Sequence, residues 1–139
     1  MRRSVKGILA DVNIQGQVDF LIILMQAEPW KLFWEHLRIP YLHFPDVGLA
    51  LDAPDSLVWE VCQKEELLLI TDNRNRKGDD SLESTIQTRN TTTSLPVFTI
   101  GNVRNLRASR DYAHRVIDKL LDSLLRIETL RGTGRLYLP

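Results

Sequence analysis

The chain has 139 residues, of which 43% are hydrophobic and 26% charged, proportions that are ordinary for one globular domain. Its 18 basic and 18 acidic residues give a formal net charge of zero, so any nucleic-acid binding would depend on local clusters of charge. One cysteine, Cys62, excludes an internal disulfide, and the longest apolar run, residues 20–25, is too short to span a bilayer. We expect a single cytoplasmic domain over residues 1–139 that is not bound to a membrane, with a core over about 5–130 and a tail over 131–139.

The N-terminal third of the chain predicts a strand and two helices. Residues 5–12 form an apolar run that ends in an acid, and apolar side chains at helical spacing predict a helix over about 17–28. Pro29 ends that helix, and a second short helix follows to Leu37, with aromatic side chains that we interpret as core or as a dimer face. Residues 39–51 contain two prolines and Gly48, which favour an edge strand or an irregular connection.

The rest of the chain alternates helices with strands. Residues 52–56 carry a helix-start signal, and the helix continues to Lys64. Residues 67–71 predict a strand buried on both faces, because four of them in succession are aliphatic. The pattern then predicts a helix over 81–88, a strand over 96–100, and a long helix from Ser109 or Arg110 to about Leu130. Leu120, Leu121 and Leu124 should form its buried stripe, and the tail either adds an edge strand or remains unattached.

This order predicts a three-layer α/β/α sandwich with a short, mostly parallel sheet, in which strands 5–12, 67–71 and 96–100 are neighbours. Ligands of such sheets bind beyond the carboxyl ends of the strands. Asp11 and Asp72 both follow apolar runs, so we expect them at the same end of the sheet. A structural role for Asp11 stays open, in which its carboxylate caps the turn by accepting hydrogen bonds from the Gln15 or Gly16 amide.

Carboxylates that converge at a sheet edge are suited to Mg²⁺ or Mn²⁺, which take oxygen ligands and leave positions open for phosphate and water. Asp11, Asp72 and either Asp55 or Asp52 are the candidate ligands, with Asp55 preferred over Asp52. The basic residues of the following segment, Arg74, Arg76 and Lys77, are candidates for holding a phosphate.

Several of these features occur in an order that resembles a PIN-like nuclease domain, and is most similar to its small toxin-like branch. They are Asp11-x-Asn13 after the first strand, Asp46-Val47-Gly48-Leu49, an acid at a helix start (Asp52 or Asp55), and Leu69-Ile70-Thr71 before a polar turn. The resemblance covers roughly residues 5–101. It implies the PIN-like sandwich, metal-dependent cleavage of RNA with Mg²⁺ or Mn²⁺, and an antitoxin-like protein partner. The aromatic residues Trp30, Phe33 and Trp34 would suit such a partner or a homodimer. The resemblance also implies site roles, which are catalysis and metal binding for Asp11, Asp55 and Asp72, and substrate binding for Asn13, Thr71, Asn73, Arg74 and Arg76.

The chain departs from the T-x-D-x-D pattern of that branch, because it has Thr71-Asp72-Asn73-Arg74-Asn75. Both expected acids are asparagine, and the remaining acid stands one position away, which reverses the direction of a side chain in extended backbone. Asp79 and Asp80 are candidates to fold back and replace the missing charge. The alternative function is therefore a non-catalytic PIN-like module that binds RNA or a protein. A phosphatase of the haloacid dehalogenase type is a weaker alternative, since Asn13 stands where a second aspartate is expected.

Overall fold

A computed structural model describes residues 5–139, which form one parallel sheet between two layers of helices. The strand order is β2-β1-β3-β4-β5, and every neighbouring pair is parallel. The strands are β1 (Gly7–Ala10), β2 (Tyr41–Leu42), β3 (Leu67–Thr71), β4 (Val97–Ile100) and β5 (Arg135–Leu138). The α-helices are α1 (Gln15–Met25), α2 (Lys31–Leu37), α3 (Asp55–Glu65), α4 (Leu82–Arg89), α5 (Asn105–Ala108), α6 (Arg110–Leu125) and α7 (Ile127–Leu130).

The two faces of the sheet are covered by different helices, which confirms the predicted three-layer sandwich. On β3, Leu68 and Ile70 belong to a core that includes apolar residues of α1 and α6. Leu67 and Leu69 point the other way, into a second core that includes residues of α3 and α4. All of β3 is buried because helices shield it on both sides, as its unbroken aliphatic sequence predicted.

The central strands are also arranged as predicted. β1 pairs with β3, and β3 pairs with β4, with Ala10 opposite Ile70 and Thr71 opposite Thr99. The chain segments that leave β1, β3 and β4 therefore all start from one edge of the sheet, which we call the carboxyl edge. Asp11 and Asp72 both follow these strand ends, so the prediction that they lie at the same end of the sheet is confirmed.

The long C-terminal helix packs into the core as its spacing predicted, but it is divided in two. The hydroxyl of Ser109 caps α6 by accepting a hydrogen bond from the Tyr112 amide at 3.1 Å. Leu120, Leu121 and Leu124 are all buried. Arg126 leaves the helical conformation, with φ −111° and ψ 20°, and separates α6 from α7.

The C-terminal tail adds an edge strand, which is one of the two alternatives that the sequence left open. β5 pairs in parallel with β4, with Val97 opposite Arg135 and Ile100 opposite Leu138. Leu138 is buried, so the tail contributes to the core as well as to the sheet.

The aromatic residues around α2 divide between core and surface. Trp30 is buried, its indole N–H donates to Asp118 at 2.9 Å, and its ring packs edge-to-face on His114. Trp34 is partly buried against the same core, whereas Phe33 is exposed. Trp30 is therefore a core residue. Within residues 5–139, every helix is too short or too polar to cross a bilayer.

Candidate functional site

A cleft of about 400 Å³ opens at the carboxyl edge, on the face of the sheet that α3 and α4 cover. We call it the carboxyl-edge cleft. Its apolar floor includes Leu69 of β3 and Val58 of α3. The polar side chains that line it are Asp11, Asn13, Asp52, Asp55 and Asn73. The structure thus brings together, in one cleft, candidate residues from three separate stretches of the chain.

Asp11 is the most buried acid of this cleft, with 9% of its surface exposed. Its backbone extends the pairing of β1 with β3, because its N–H donates to the Ile70 carbonyl at 2.9 Å. Its Oδ1 accepts from the Asn13 amide at 3.1 Å, and its Oδ2 accepts from the Thr71 hydroxyl at 2.5 Å. Asp11 therefore caps the turn over Val12–Ile14 as well as facing the cleft, and it does so through Asn13, not through Gln15 or Gly16.

The environment of Asp11 disfavours its charged form. Burial raises the pKa of Asp11, and the carboxylates of Asp72 and Asp55 raise it further. The hydrogen bonds from Thr71 and Asn13 act in the opposite direction, and the net pKa lies above the usual value. A positive charge placed in the cleft would relieve this penalty.

Asp55 lies where two helices begin. It is the first residue of α3, and its Oδ2 accepts from the backbone N–H of Leu82, the first residue of α4, at 3.1 Å. The same oxygen accepts from the side-chain amide of Asn73 at 2.9 Å. Helix N-termini stabilise negative charge, so the fold supports this carboxylate electrostatically. The sequence indicated the start of α3 near Asp55, but it carried no signal for the contact with Leu82.

The two asparagines that replace the expected acids shape the loop after β3. The backbone N–H of Asn73 donates to the Thr71 hydroxyl. The backbone N–H of Asn75 donates to Asn73 Oδ1, and that of Lys77 donates to Asn75 Oδ1. Short polar side chains that accept from the amide two residues later form successive Asx-type turns. Asn73 and Asn75 therefore fix the backbone path of this loop.

The other candidate residues occupy different positions along the same edge. Asp72 lines a neighbouring notch of about 180 Å³ together with Arg74, and Arg74 and Arg76 are exposed. Asp79 is exposed as well, while Asp80 reaches back to α3, where its Oδ1 accepts from the Ser56 hydroxyl at 3.1 Å. Asp72 thus lies outside the lining of the carboxyl-edge cleft, whereas Asp80 contacts Ser56, the residue that follows Asp55.

One supporting residue was not anticipated from the sequence. Arg135 of β5 donates to the Asn73 carbonyl at 2.9 Å and to the Thr99 hydroxyl at 2.6 Å, and it forms a salt bridge with Glu83 of α4 at 3.0 Å. It therefore ties the loop that carries Asn73 to both the edge strand and α4. No sequence pattern indicates such a contact, since 62 residues separate Arg135 from Asn73.

A divalent cation would find two carboxylates in this cleft that are held by the protein. Within residues 5–139, no cluster of three or more His, Cys, Asp or Glu side chains is arranged to hold a metal. Asp11 and Asp55 retain accepting capacity beyond the hydrogen bonds described above, because a carboxylate offers about four lone-pair positions. Mg²⁺ commonly uses one or two carboxylates with water and substrate phosphates. The two carboxylates match the number that Mg²⁺ uses in such sites, and they do not form a complete protein cage.

Comparisons of the chain with protein-family models, with curated proteins and with solved structures return no match.

Proposed function

We propose that this protein is a divalent-cation-dependent ribonuclease of low activity whose site is the carboxyl-edge cleft. The observation that carries the proposal is the pair of acids, Asp11 and Asp55, which line one cleft beyond the ends of parallel strands. That position is where α/β sheets of this kind bind ligands. The resemblance of the motif order to small PIN-like proteins points to the same chemistry and supplies the substrate class, RNA.

The side chains of the cleft have distinct roles in this proposal. Asp11 and Asp55 would hold Mg²⁺ or Mn²⁺, which when bound supplies neutralisation of phosphate charge and lowers the pKa of a coordinated water. Thr71 and the Asn13 amide orient Asp11 through its two carboxylate oxygens. Asn73 and the Leu82 amide orient Asp55. Asn13 lines the cleft with an exposed side chain that is available to a substrate.

The proposal is tested by melting titrations with Mn²⁺ and by cleavage of a labelled single-stranded RNA. A cation that binds only the folded state at ten times its dissociation constant stabilises the protein by about 1.4 kcal/mol. We expect the wild type to show a stabilisation that grows with Mn²⁺ and to cleave the RNA slowly. Asp11→Asn should lose both effects while remaining folded.

Asp122→Asn is the matched control, because it removes the same charge from the exposed surface of α6. It should keep the full response to Mn²⁺. If the wild type does not respond to Mn²⁺, or if Asp11→Asn retains the whole shift, the proposed cation site is wrong.

A second candidate function is a non-catalytic module that binds RNA or an antitoxin-like protein. It is favoured by the hydrogen bonds that Asp11 and Asp55 already accept from the protein, and by the amides at positions 73 and 75. In that case wild type and Asp11→Asn should bind the RNA equally well, and neither should cleave it. A pull-down with a co-expressed partner, followed by sizing of the complex, tests the protein-binding form and also reports any homodimer.

A further inference from the structure

The notch beside the carboxyl-edge cleft is built differently from the cleft itself. It lies beyond the ends of β3 and β4, has a volume of about 180 Å³, and is lined by Asp72, Arg74, Gly101, Asn102 and Arg104, among others. Two of these side chains are cationic guanidinium groups, one from the segment after each strand. Its size suits one small anionic group and not a second protein element.

The arginines of the notch differ from five other arginines within residues 5–139, which pair with acids. Arg74 and Arg104 are exposed, and within residues 5–139 neither side chain forms an ion pair or a hydrogen bond with a protein group. Other arginines do pair with acids; they are Arg89, Arg115, Arg126, Arg131 and Arg135. The donor groups of the notch are thus free to meet a ligand, and a planar guanidinium matches the oxygens of a phosphate.

We infer that Arg74 and Arg104 form a phosphate subsite for single-stranded RNA, an inference that rests on the proposed function of the neighbouring cleft. β3 separates the two sites, since Leu69 lines the cleft and Asp72 lines the notch. Neighbouring strands lie only about 4.8 Å apart, so one nucleic-acid backbone can cross the ends of β1, β3 and β4 in succession. A flexible single strand can pass along these strand ends without sequence-specific contacts, with one phosphate held by Arg74 and Arg104.

Further cations lie in the segments that follow the strand ends. Arg76 and Lys77 are exposed in the loop after β3. Arg107 of α5 packs over the ring of Phe20 at 4.8 Å and donates to the carbonyl of Gly16, the second residue of α1. The carboxyl edge also carries Asp11, Asp52, Asp55 and Asp72, so its local charge is mixed and contact with a phosphate depends on the guanidinium groups of the notch.

Substitution of Asp72 should change RNA affinity in the direction opposite to substitution of an arginine. The Asp72 carboxylate lines the notch with the arginines, so it repels a phosphate that enters and lowers the affinity of the protein for RNA. Removing the acid should tighten RNA binding, whereas removing either arginine should weaken it.

The experiment measures anisotropy of a short 5′-labelled oligouridylate with the full chain in EDTA, over a series of salt concentrations. Arg74→Gln and Arg104→Gln should each weaken binding by about three- to tenfold. Each should also reduce the slope of log affinity against log salt by about 0.7, the value for one lost contact to a single strand. Arg126→Gln, which removes the same charge at the far end of α6, is the control and should bind like the wild type.

The outcomes separate this inference from the proposed function. The phosphate subsite would be overturned if the wild type does not bind the oligouridylate, or if Arg126→Gln weakens binding as much as Arg104→Gln. Weaker binding by Asp72→Asn would also overturn it. Equal competition by oligoglutamate would also overturn it, because the notch would then recognise acidic chains in general. If the arginine and Asp72 variants behave as expected and Mn²⁺ produces no cleavage, the subsite stands and the nuclease proposal fails.

Discussion

Replacing Arg135 with methionine should destabilise the fold and loosen the loop at the candidate site. Only 9% of the Arg135 side chain is exposed, and its guanidinium serves three acceptors, namely Glu83, Asn73 and Thr99. Methionine is long and flexible enough to fill much of the same space, but it offers no donor. The change therefore tests the polar contacts with little change in packing.

The expected cost follows from the groups left behind. Breaking a buried ion pair by removing one partner costs about 3–5 kcal/mol, because the other charge stays buried without compensation. Glu83 keeps 23% of its side chain exposed, so water can compensate part of that loss. Each buried neutral acceptor that loses its donor adds about 1 kcal/mol or more. We expect the free energy of unfolding to fall by about 3 kcal/mol.

Urea denaturation of the wild type and Arg135→Met measures this loss, and hydrogen exchange reports the loop. The amides of Asn73 and Asn75 should exchange faster in the variant, because Arg135 no longer holds the Asn73 carbonyl. Arg126→Met is the control, since Arg126 pairs with Asp122 on the exposed surface and such pairs contribute about 0–1 kcal/mol. A loss below about 1 kcal/mol for Arg135→Met would refute the reasoning.

Two further changes test the core and the cleft. Leu121→Ala should lower the free energy of unfolding by about 2–5 kcal/mol in urea denaturation, because this residue of α6 lies in the core and is only 4% exposed. A loss below about 1 kcal/mol would place α6 outside the core. Asp11→Asn should change the pH dependence of stability in the absence of metal. The pKa of Asp11 in the folded state is raised from 3.8, so the contribution of Asp11 to the free energy of unfolding is fully present at low pH. That contribution is lost as the pH rises through the folded-state pKa. The stability of Asp11→Asn relative to the wild type should therefore increase from acid to neutral pH in EDTA, and a constant difference would contradict the raised pKa.

Much of the fold could be predicted because local patterns were strong. The apolar residues of β3 fixed a strand buried on both faces, and the spacing of leucines in α6 fixed its buried stripe. The short helix α5 was missed, since four residues carry too little periodicity for a prediction. The division between α6 and α7 was missed because the apolar spacing continues across Arg126, whereas the helical conformation of the backbone ends there.

The candidate site was only partly predictable, because it depends on contacts between distant parts of the chain. Asp11 could be singled out as an acid directly after an apolar strand, and its position at the carboxyl edge followed from strand order. The contact of Asp55 with Leu82 spans 27 residues, and no local pattern indicates it. The placement of Asp72 depended on how far the extended backbone continues, which residue types alone do not determine.

The alternation of side chains after β3 explains how this cleft differs from one with a full set of acids. Thr71 points towards Asp11, so Asp72 points away into the notch and Asn73 returns to the cleft. An aspartate at position 73 would face Asp55 with a second negative charge and would need a cation to offset the repulsion. The side-chain amide of Asn73 instead donates to Asp55, and so does the backbone N–H of Leu82. Any bound cation must therefore compete with these two donors for Asp55, from which a weak affinity follows.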